Sequence, residues 1–343
     1  MNHTDLELHY AQKLNVLAGT LSGLALRRRT LAKFRCHSVV VEEAGKITET
    51  ESLVLFFLLP RRLVLVGDTL QLSPIIRNEQ LRCMCNYDQS MFERLHRLGA
   101  RMEVLDRQGR ARPAIADLYR WRYGAAFGVT LGDLDFVRVS SFDSNPPGLL
   151  WASQFVHIDG QNSGEINAEE SRMIRCLVHF LVRRGNPGSS ISVLTPYNRQ
   201  KMHLAGVMRH FADGPRDICT TDEFQGKENT IVIVSLVLSG WAPSPHLRDP
   251  QRLNVLTSRA RRALVVVGNA KTFLQDEQWK LIVAHMSTQS TVLSVEKRPG
   301  ESCEVPHGGA FERLLAEWPS AQDADPSLDI ADSMAGMSLR GRK

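Results

Sequence analysis

The stretch Phe224-Gln225-Gly226-Lys227-Glu228, followed by Arg252-Leu253-Asn254-Val255 and Ser258-Arg259-Ala260-Arg261, decides how this chain folds. A polar turn containing glycine leads into the apolar run 231–238. An arginine-rich helix start leads into a second run, 263–267. Short runs dense in valine and isoleucine predict strands buried on both faces, as in a parallel sheet. Cationic groups at the ends of such strands suit an anionic ligand, because a guanidinium fork matches phosphate and carboxylate oxygens.

Runs at 38–41, 63–66 and 191–194 have the same character. Helical patterns separate them. Asn167 stands as an N-cap with Glu170 three residues on, the spacing of a capping box. Met173, Ile174, Leu177, Val178 and Leu181 then form one apolar stripe, stopped by Gly185-Asn186-Pro187-Gly188. A second helix is expected over 113–121, with Pro113 in its first turn, and a third after Asn198. Strands alternating with helices read as α/β. The segment 140–148 is a turn region, and the domain boundary falls near Gly99. Order signals fade beyond Gln289. From Arg298 to Lys343 the composition predicts disorder, apart from a turn of helix at 311–318.

At 343 residues the chain can bury the cores of two domains. Its net charge of +5 leans only mildly toward a polyanionic partner. The six cysteines form no CxxC pair, and Cys83-Met84-Cys85 has the wrong spacing for a zinc clip. Free thiols in a reducing compartment are expected. The start, MNHTDLELHY, has no apolar signal core, and the longest apolar run, 53–59, is too short to span a bilayer. The expectation is a soluble intracellular protein without membrane partners.

The motifs carry the chemistry. Val39-Val40-Val41-Glu42-Glu43-Ala44-Gly45 delivers two adjacent carboxylates at the end of a strand. Nucleotide hydrolysis needs that placement: one carboxylate for hydrated Mg²⁺, the next to polarise the attacking water. By itself the motif reads more readily as a solvated acidic turn. Gly67-Asp68, then Gln71, gives a tight turn with an amide able to sense a γ-phosphate. Asp106-Arg107-Gln108-Gly109-Arg110-Ala111-Arg112 places arginines before a helix, where Arg110, like Arg259, can neutralise charge on a phosphoryl group. Taken singly, each of Arg107, Arg110 and Arg112 reads better as part of a solvated basic turn. Thr195-Pro196-Tyr197-Asn198 follows a strand and opens a helix, a setting that suits a backbone phosphate. Tyr197 either stacks on a base or packs.

Together these blocks resemble the superfamily 1 RNA helicases of the RNA-surveillance type, over roughly residues 14 to 280. Five motifs in order make the likeness specific. Gln-Gly-Arg-Ala-Arg at 108–112, with Leu118-Tyr119-Arg120-Trp121-Arg122-Tyr123, Leu131-Gly132-Asp133-Leu134 and His246-Leu247-Arg248-Asp249, is similar to the Aquarius branch of intron-binding spliceosomal helicases. The resemblance implies two RecA-like parallel-sheet domains, ATP with Mg²⁺ between them and single-stranded RNA across their tops. It implies domains at 1–99 (partial) and 100–290, with a mostly disordered tail at 291–343. It also implies a nuclear setting and spliceosomal partners. By the same likeness Glu42 holds the metal, Glu43 is the catalytic base, Gln71 couples γ-phosphate to movement, and Arg110 and Arg259 are fingers. Asp68, Gln108, Gly226 and Glu228 meet nucleotide. Thr20, Thr195, Tyr197 and Thr221 meet nucleic acid.

The main departure from the family is at the front of the chain. No G-x-x-x-x-G-K-[ST] phosphate loop occurs in it; Gly45-Lys46-Ile47 and Gly226-Lys227-Glu228 lack the Ser/Thr and the position. Glu42 replaces the usual Asp and Ser258 the usual Thr. The expectation is therefore an ATP-dependent RNA helicase fragment with weak or no turnover by itself. The alternatives are a catalytically inactive RNA- or protein-binding module, and a longer product carrying the loop upstream.

Overall fold

The computed structural model describes residue 9 and residues 13–31, 36–76, 78–149, 151–211, 213–240, 243–287, 292–297 and 337–342. The chain divides into two compact units, 1–103 and 104–343.

In the first unit, β1 (Ser38–Val41) and β2 (Arg62–Leu65) pair in parallel, Val41 opposite Leu65. Burial alternates along β1: Val39 and Val41 pack into a cluster with Leu55 and Leu58, while Val40 is exposed. The expectation of a strand buried on both faces fails here because, among the described residues, this sheet has two strands and packs its core on one side. The helix Glu49–Ser52 begins with a full capping box between Thr48 and Glu51, and its Glu49 pairs with Arg94 of the helix Met91–Arg97. No strand precedes Thr20 among the described residues; residues 16–19 are irregular, and Thr20 caps the helix Leu21–Leu26.

The second unit is built on a seven-stranded sheet. Its strands are β5 (Ser153–Ile158), β6 (Ile191–Thr195), β7 (Asp217–Thr220), β8 (Asn229–Ser235), β9 (Ala260–Gly268), β10 (Val292–Lys297) and β11 (Met337–Arg342). The order is β11-β10-β5-β9-β8-β6-β7, parallel throughout except for the antiparallel β10–β11 pair. A separate two-residue ladder joins β3 (Arg107–Gln108) to β4 (Gly132–Asp133). The continuous apolar runs follow from the two-sided core. Ile231, Ile233 and Val265 join the helix Ala168–Arg183 on one face, while Val232, Val234 and Leu264 join Phe273 and Trp279 on the other. Every residue of the predicted stripe, Met173 to Leu181, is buried.

Four expectations change. The helix expected over 113–121 is two, Pro113–Ala116 and Arg120–Phe127, because Leu118 and Tyr119 donate to carbonyls three residues back and so tighten the chain between them. The run 231–238 leaves the sheet at Ser235, and Val237 adopts φ 71°, a region costly for a β-branched residue. The capping box at Asn167 is half formed: Asn167 accepts from the Glu170 amide, but the Glu170 carboxyl turns inward to Ser235 and Val237. Arg261 and Arg262 open β9, Arg259 stands just before it, and none of the three starts a helix; Arg252 alone of the group sits in a helix's first turn, that of Pro250–Thr257. Within the stretch beyond Gln289, 292–297 and 337–342 are strands; the helical turn expected at 311–318 lies outside the described residues.

Candidate nucleotide and nucleic-acid sites

The first unit brings its acidic and Gly-Asp motifs together through backbone. The Ala44 amide donates to the Val66 carbonyl at 2.9 Å, and a Cβ on Gly67 would lie 2.8 Å from the Gly45 nitrogen. Only glycine at 67 lets the loops approach this closely. Glu42 and Glu43 are exposed at the end of β1, and Glu43 is held at φ 54°, ψ 37°, a left-handed conformation uncommon outside glycine and asparagine. Asp68 accepts from the Leu70 amide at 2.9 Å and from the Gln71 side-chain amide at 2.8 Å. The sensor pair is thus formed within its own loop. Thr20 accepts from Gly23 at 3.1 Å.

In the second unit the site residues sort onto two opposite edges of one sheet, one formed by strand starts and the other by strand ends. Glu228 and Arg259 immediately precede adjacent parallel strands, with Asn229 in register with Ala260. They stand at strand starts, where the turn and the arginines that precede the two apolar runs in the sequence place them. Arg110 reaches this edge, its Nε 2.6 Å from Glu228 and its Nη1 3.4 Å from the Ser258 carbonyl. Arg261 approaches the other Glu228 oxygen at 3.7 Å and lies over the Phe142 ring. Both arginines and Glu228 are partly solvated, so these pairs hold geometry more than they stabilise. Gly226, at φ 79°, makes the turn that delivers Glu228. Lys227 pairs with Asp217 instead, at 3.0 Å.

Two of the expected site residues at this edge are engaged within the protein itself. Arg259 is 1% exposed, and its guanidinium donates to the Val255 carbonyl and to the Ser258 hydroxyl. It neutralises the carbonyl end of the helix Pro250–Thr257, and Arg261 takes the displayed position. Gln108, expected to meet nucleotide, uses its amide on the loop. Its oxygen accepts from the Arg110 and Ala111 amides, and its nitrogen donates to the Ala111 carbonyl and to Asp133. All four hydrogen-bonding positions are taken. The nearby Tyr119 phenol is pushed up to about 12 by burial, against the pull of Arg110 and Arg259.

The other edge carries Thr195, at the end of β6, and Thr221, just past β7, joined by a bond from the Thr221 amide to the Thr195 carbonyl. Both are buried, and neither hydroxyl has a partner among the described residues. Unpaired buried hydroxyls are costly, so this pair is the most ligand-demanding feature of the edge. Tyr197 packs rather than projects: its hydroxyl meets Ser244 at 2.9 Å and its ring lies beside His246. Burial pushes its phenol up and the His246 imidazole down. Asp133 and Arg261 were missed by sequence reasoning as site residues; both lie in quoted motifs, but nothing local marks which side chain faces the site.

Residues 87–271, more than half the chain, match the family model described as AAA domain, and residues 3–79 match a second model of that description. The chain belongs to the superfamily 1 helicase family. It is 32% identical over 288 residues to "RNA helicase aquarius" of Mus musculus, covering 76% of this chain and 19% of the relative. It is 31% identical over 288 residues to "Regulator of nonsense transcripts 1" of Caenorhabditis elegans, covering 80% and 27%. The chain thus spans about a fifth to a quarter of the length of these curated relatives. Among solved structures, the Arterivirus nonstructural protein 10 helicase aligns with 14% identity and a TM-score of 0.34, over 81% of this chain and 58% of that one. No helix among the described residues is long and apolar enough to cross a membrane.

Proposed function

We propose that this helicase-family chain supplies the hydrolytic carboxylates, the sensor, the cationic edge and an RNA-facing edge of an ATP-dependent RNA-remodelling enzyme working in pre-mRNA splicing in the nucleus. The supporting observation is the convergence of Arg110, Glu228, Ser258 and Arg261, drawn from three separate motifs onto one sheet edge. Glu228 neutralises the guanidinium groups there, and a phosphoryl group competes for them with more charge and more acceptor oxygens. Bound ATP and Mg²⁺ supply the transferable phosphoryl group and its charge neutralisation. Glu42 and Glu43 are exposed, hard oxygen donors at a strand end and fit that cation. Mg²⁺ usually keeps several waters beside one or two carboxylates and substrate phosphate oxygens, so these two carboxylates would suffice as its protein ligands. Glu42 holds the metal and Glu43 orients the attacking water. Asp68 and Gln71 report the γ-phosphate. Thr195 and Thr221 donate to RNA phosphate or ribose oxygens, with Tyr197 supporting that edge and Thr20 adding a contact from the first unit.

One observation favours a second reading, a non-catalytic RNA-binding module: the sequence contains no phosphate loop. ATP hydrolysis by the purified chain, with and without single-stranded RNA, separates the two. Turnover near background is expected from the chain alone, since positioning and electrostatics supply most of phosphoryl-transfer catalysis. Robust RNA-stimulated turnover that disappears in Glu43→Gln would overturn that expectation and remove the module reading. Sequencing the 5′ end of the transcript then shows whether an in-frame phosphate loop precedes Met1.

A further inference from the structure

We propose that Asp133 is the positioning residue for Arg110, acting through the amide of Gln108. The role of Arg110 rests on the nucleotide-site reading above; the coupling from Asp133 to its loop does not. The carboxylate of Asp133 is 2% exposed and sits on β4, beside β3, which leads into the Gln-Gly-Arg loop. Gln108 Nε2 donates to Asp133 Oδ1 at 2.8 Å. The Gln108 oxygen accepts the Arg110 and Ala111 amides, each at 2.9 Å.

An amide side chain presents an oxygen on one side and an NH₂ on the other, and the backbone tolerates either orientation unless a neighbour decides. The Asp133 carboxylate, beside Arg120 and Arg138 at 3.2 and 3.4 Å, offers only acceptors. It therefore requires the NH₂ of Gln108 and turns the oxygen toward the loop amides. Those two bonds curl residues 108–111 and aim Arg110 at Glu228. Gly109 permits the curl, since a Cβ there would lie 2.8 Å from Leu134 and 3.0 Å from Phe136. Arg120 is also bound by Asp117, at 2.7 Å. Asp117 has no contact with Gln108 among the described hydrogen bonds, so it serves as an internal control.

Amide hydrogen exchange on the full 343-residue chain tests this directly. In Asp133→Asn, the Arg110 and Ala111 amides are expected to exchange about tenfold faster, the worth of one charge-assisted hydrogen bond. Segment 229–235 keeps its protection, and Asp117→Asn leaves the loop unchanged. In a Gln108→Met background, Asp133→Asn adds nothing further, because the path runs through that amide. Loop exchange unchanged in Asp133→Asn, or accelerated equally by Asp117→Asn, overturns the proposal. If Asp133→Asn unfolds the sheet, Asp133→Glu replaces it, with Gln108→Asn beside it. Gln108→Asn removes the loop bonds directly, so it serves as the reference for full loss of protection. Asp133→Glu, which keeps the charge beside Arg120 but displaces the acceptor of the Gln108 amide, decides: faster loop exchange supports the coupling and unchanged exchange overturns it. None of these outcomes depends on ATP turnover, so failure of the nucleotide-site reading is recorded separately.

Discussion

Replacing Glu170 by glutamine should remove most of the pH dependence of the second unit's stability between about pH 5.5 and 7.5. The carboxyl is fully buried. It accepts from the Ser235 hydroxyl at 2.6 Å, the Val237 amide at 2.9 Å and the Asn167 side chain at 3.3 Å. Burial raises its pKa to about 8, outweighing those donors, which favour the charged form. The folded pKa thus lies above the unfolded one, so the folded state holds a proton that the unfolded state has lost. Stability from this group is complete below pH 4.5 and is lost as pH rises to about 8. Between those limits one extra bound proton gives a slope of at most about 1.4 kcal/mol per pH unit. From pH 5.5 to 7.5 that is a loss of up to about 2.7 kcal/mol. The amide of the Glu170→Gln variant has no proton to lose, and it leaves one buried donor short of an acceptor, costing about 1–3 kcal/mol at pH 5.5. The two stability curves therefore converge as pH rises. All five tryptophans fall after residue 103, so urea unfolding followed by tryptophan fluorescence reports this unit alone. Parallel pH curves for wild type and Glu170→Gln would refute the reasoning.

Three further outcomes follow from packing and charge. Gly67→Ala should force the Gly-Asp loop away from Gly45, costing about 1–3 kcal/mol; amide exchange should accelerate in 38–46 while 229–235 stays protected. Trp279→Ala should cost about 3–5 kcal/mol of the second unit's stability, read in urea. The ring is fully buried against Phe273 and its Nε1–H donates to the Leu247 carbonyl. RNA binding by the chain should be weak and fall steeply with salt, as counterion release dictates; a Kd indifferent to added salt contradicts this.

The parts of the fold legible in the sequence were those decided locally. The Met173-to-Leu181 stripe and the Asn167 cap are set by periodicity and by a short polar side chain, and both stand. The strand at Ile191 and the strands around Ile233 and Val265 were visible because both faces of that sheet are covered. What distant contacts decide was not legible. Glu170 reads as a capping-box carboxylate until Ser235 and Val237, far along the chain, draw it inward. Gln108 and Arg259 look like ligands by residue type, yet their hydrogen bonds go to the protein itself. Arg261 has the same local chemistry as Arg259, and only the register of β8 with β9 determines which arginine meets Glu228.

On the proposed reading, RNA and nucleotide are served by opposite edges of the second unit's sheet. Photo-crosslinking of a 4-thiouridine-substituted single-stranded RNA to the purified chain, with the modified peptides identified by mass spectrometry, tests it most directly. Adducts are expected within 195–200 and 220–224, at the ends of β6 and β7. Adducts concentrated at 107–112 and 258–262, beside Arg110, Glu228 and Arg261, would contradict it.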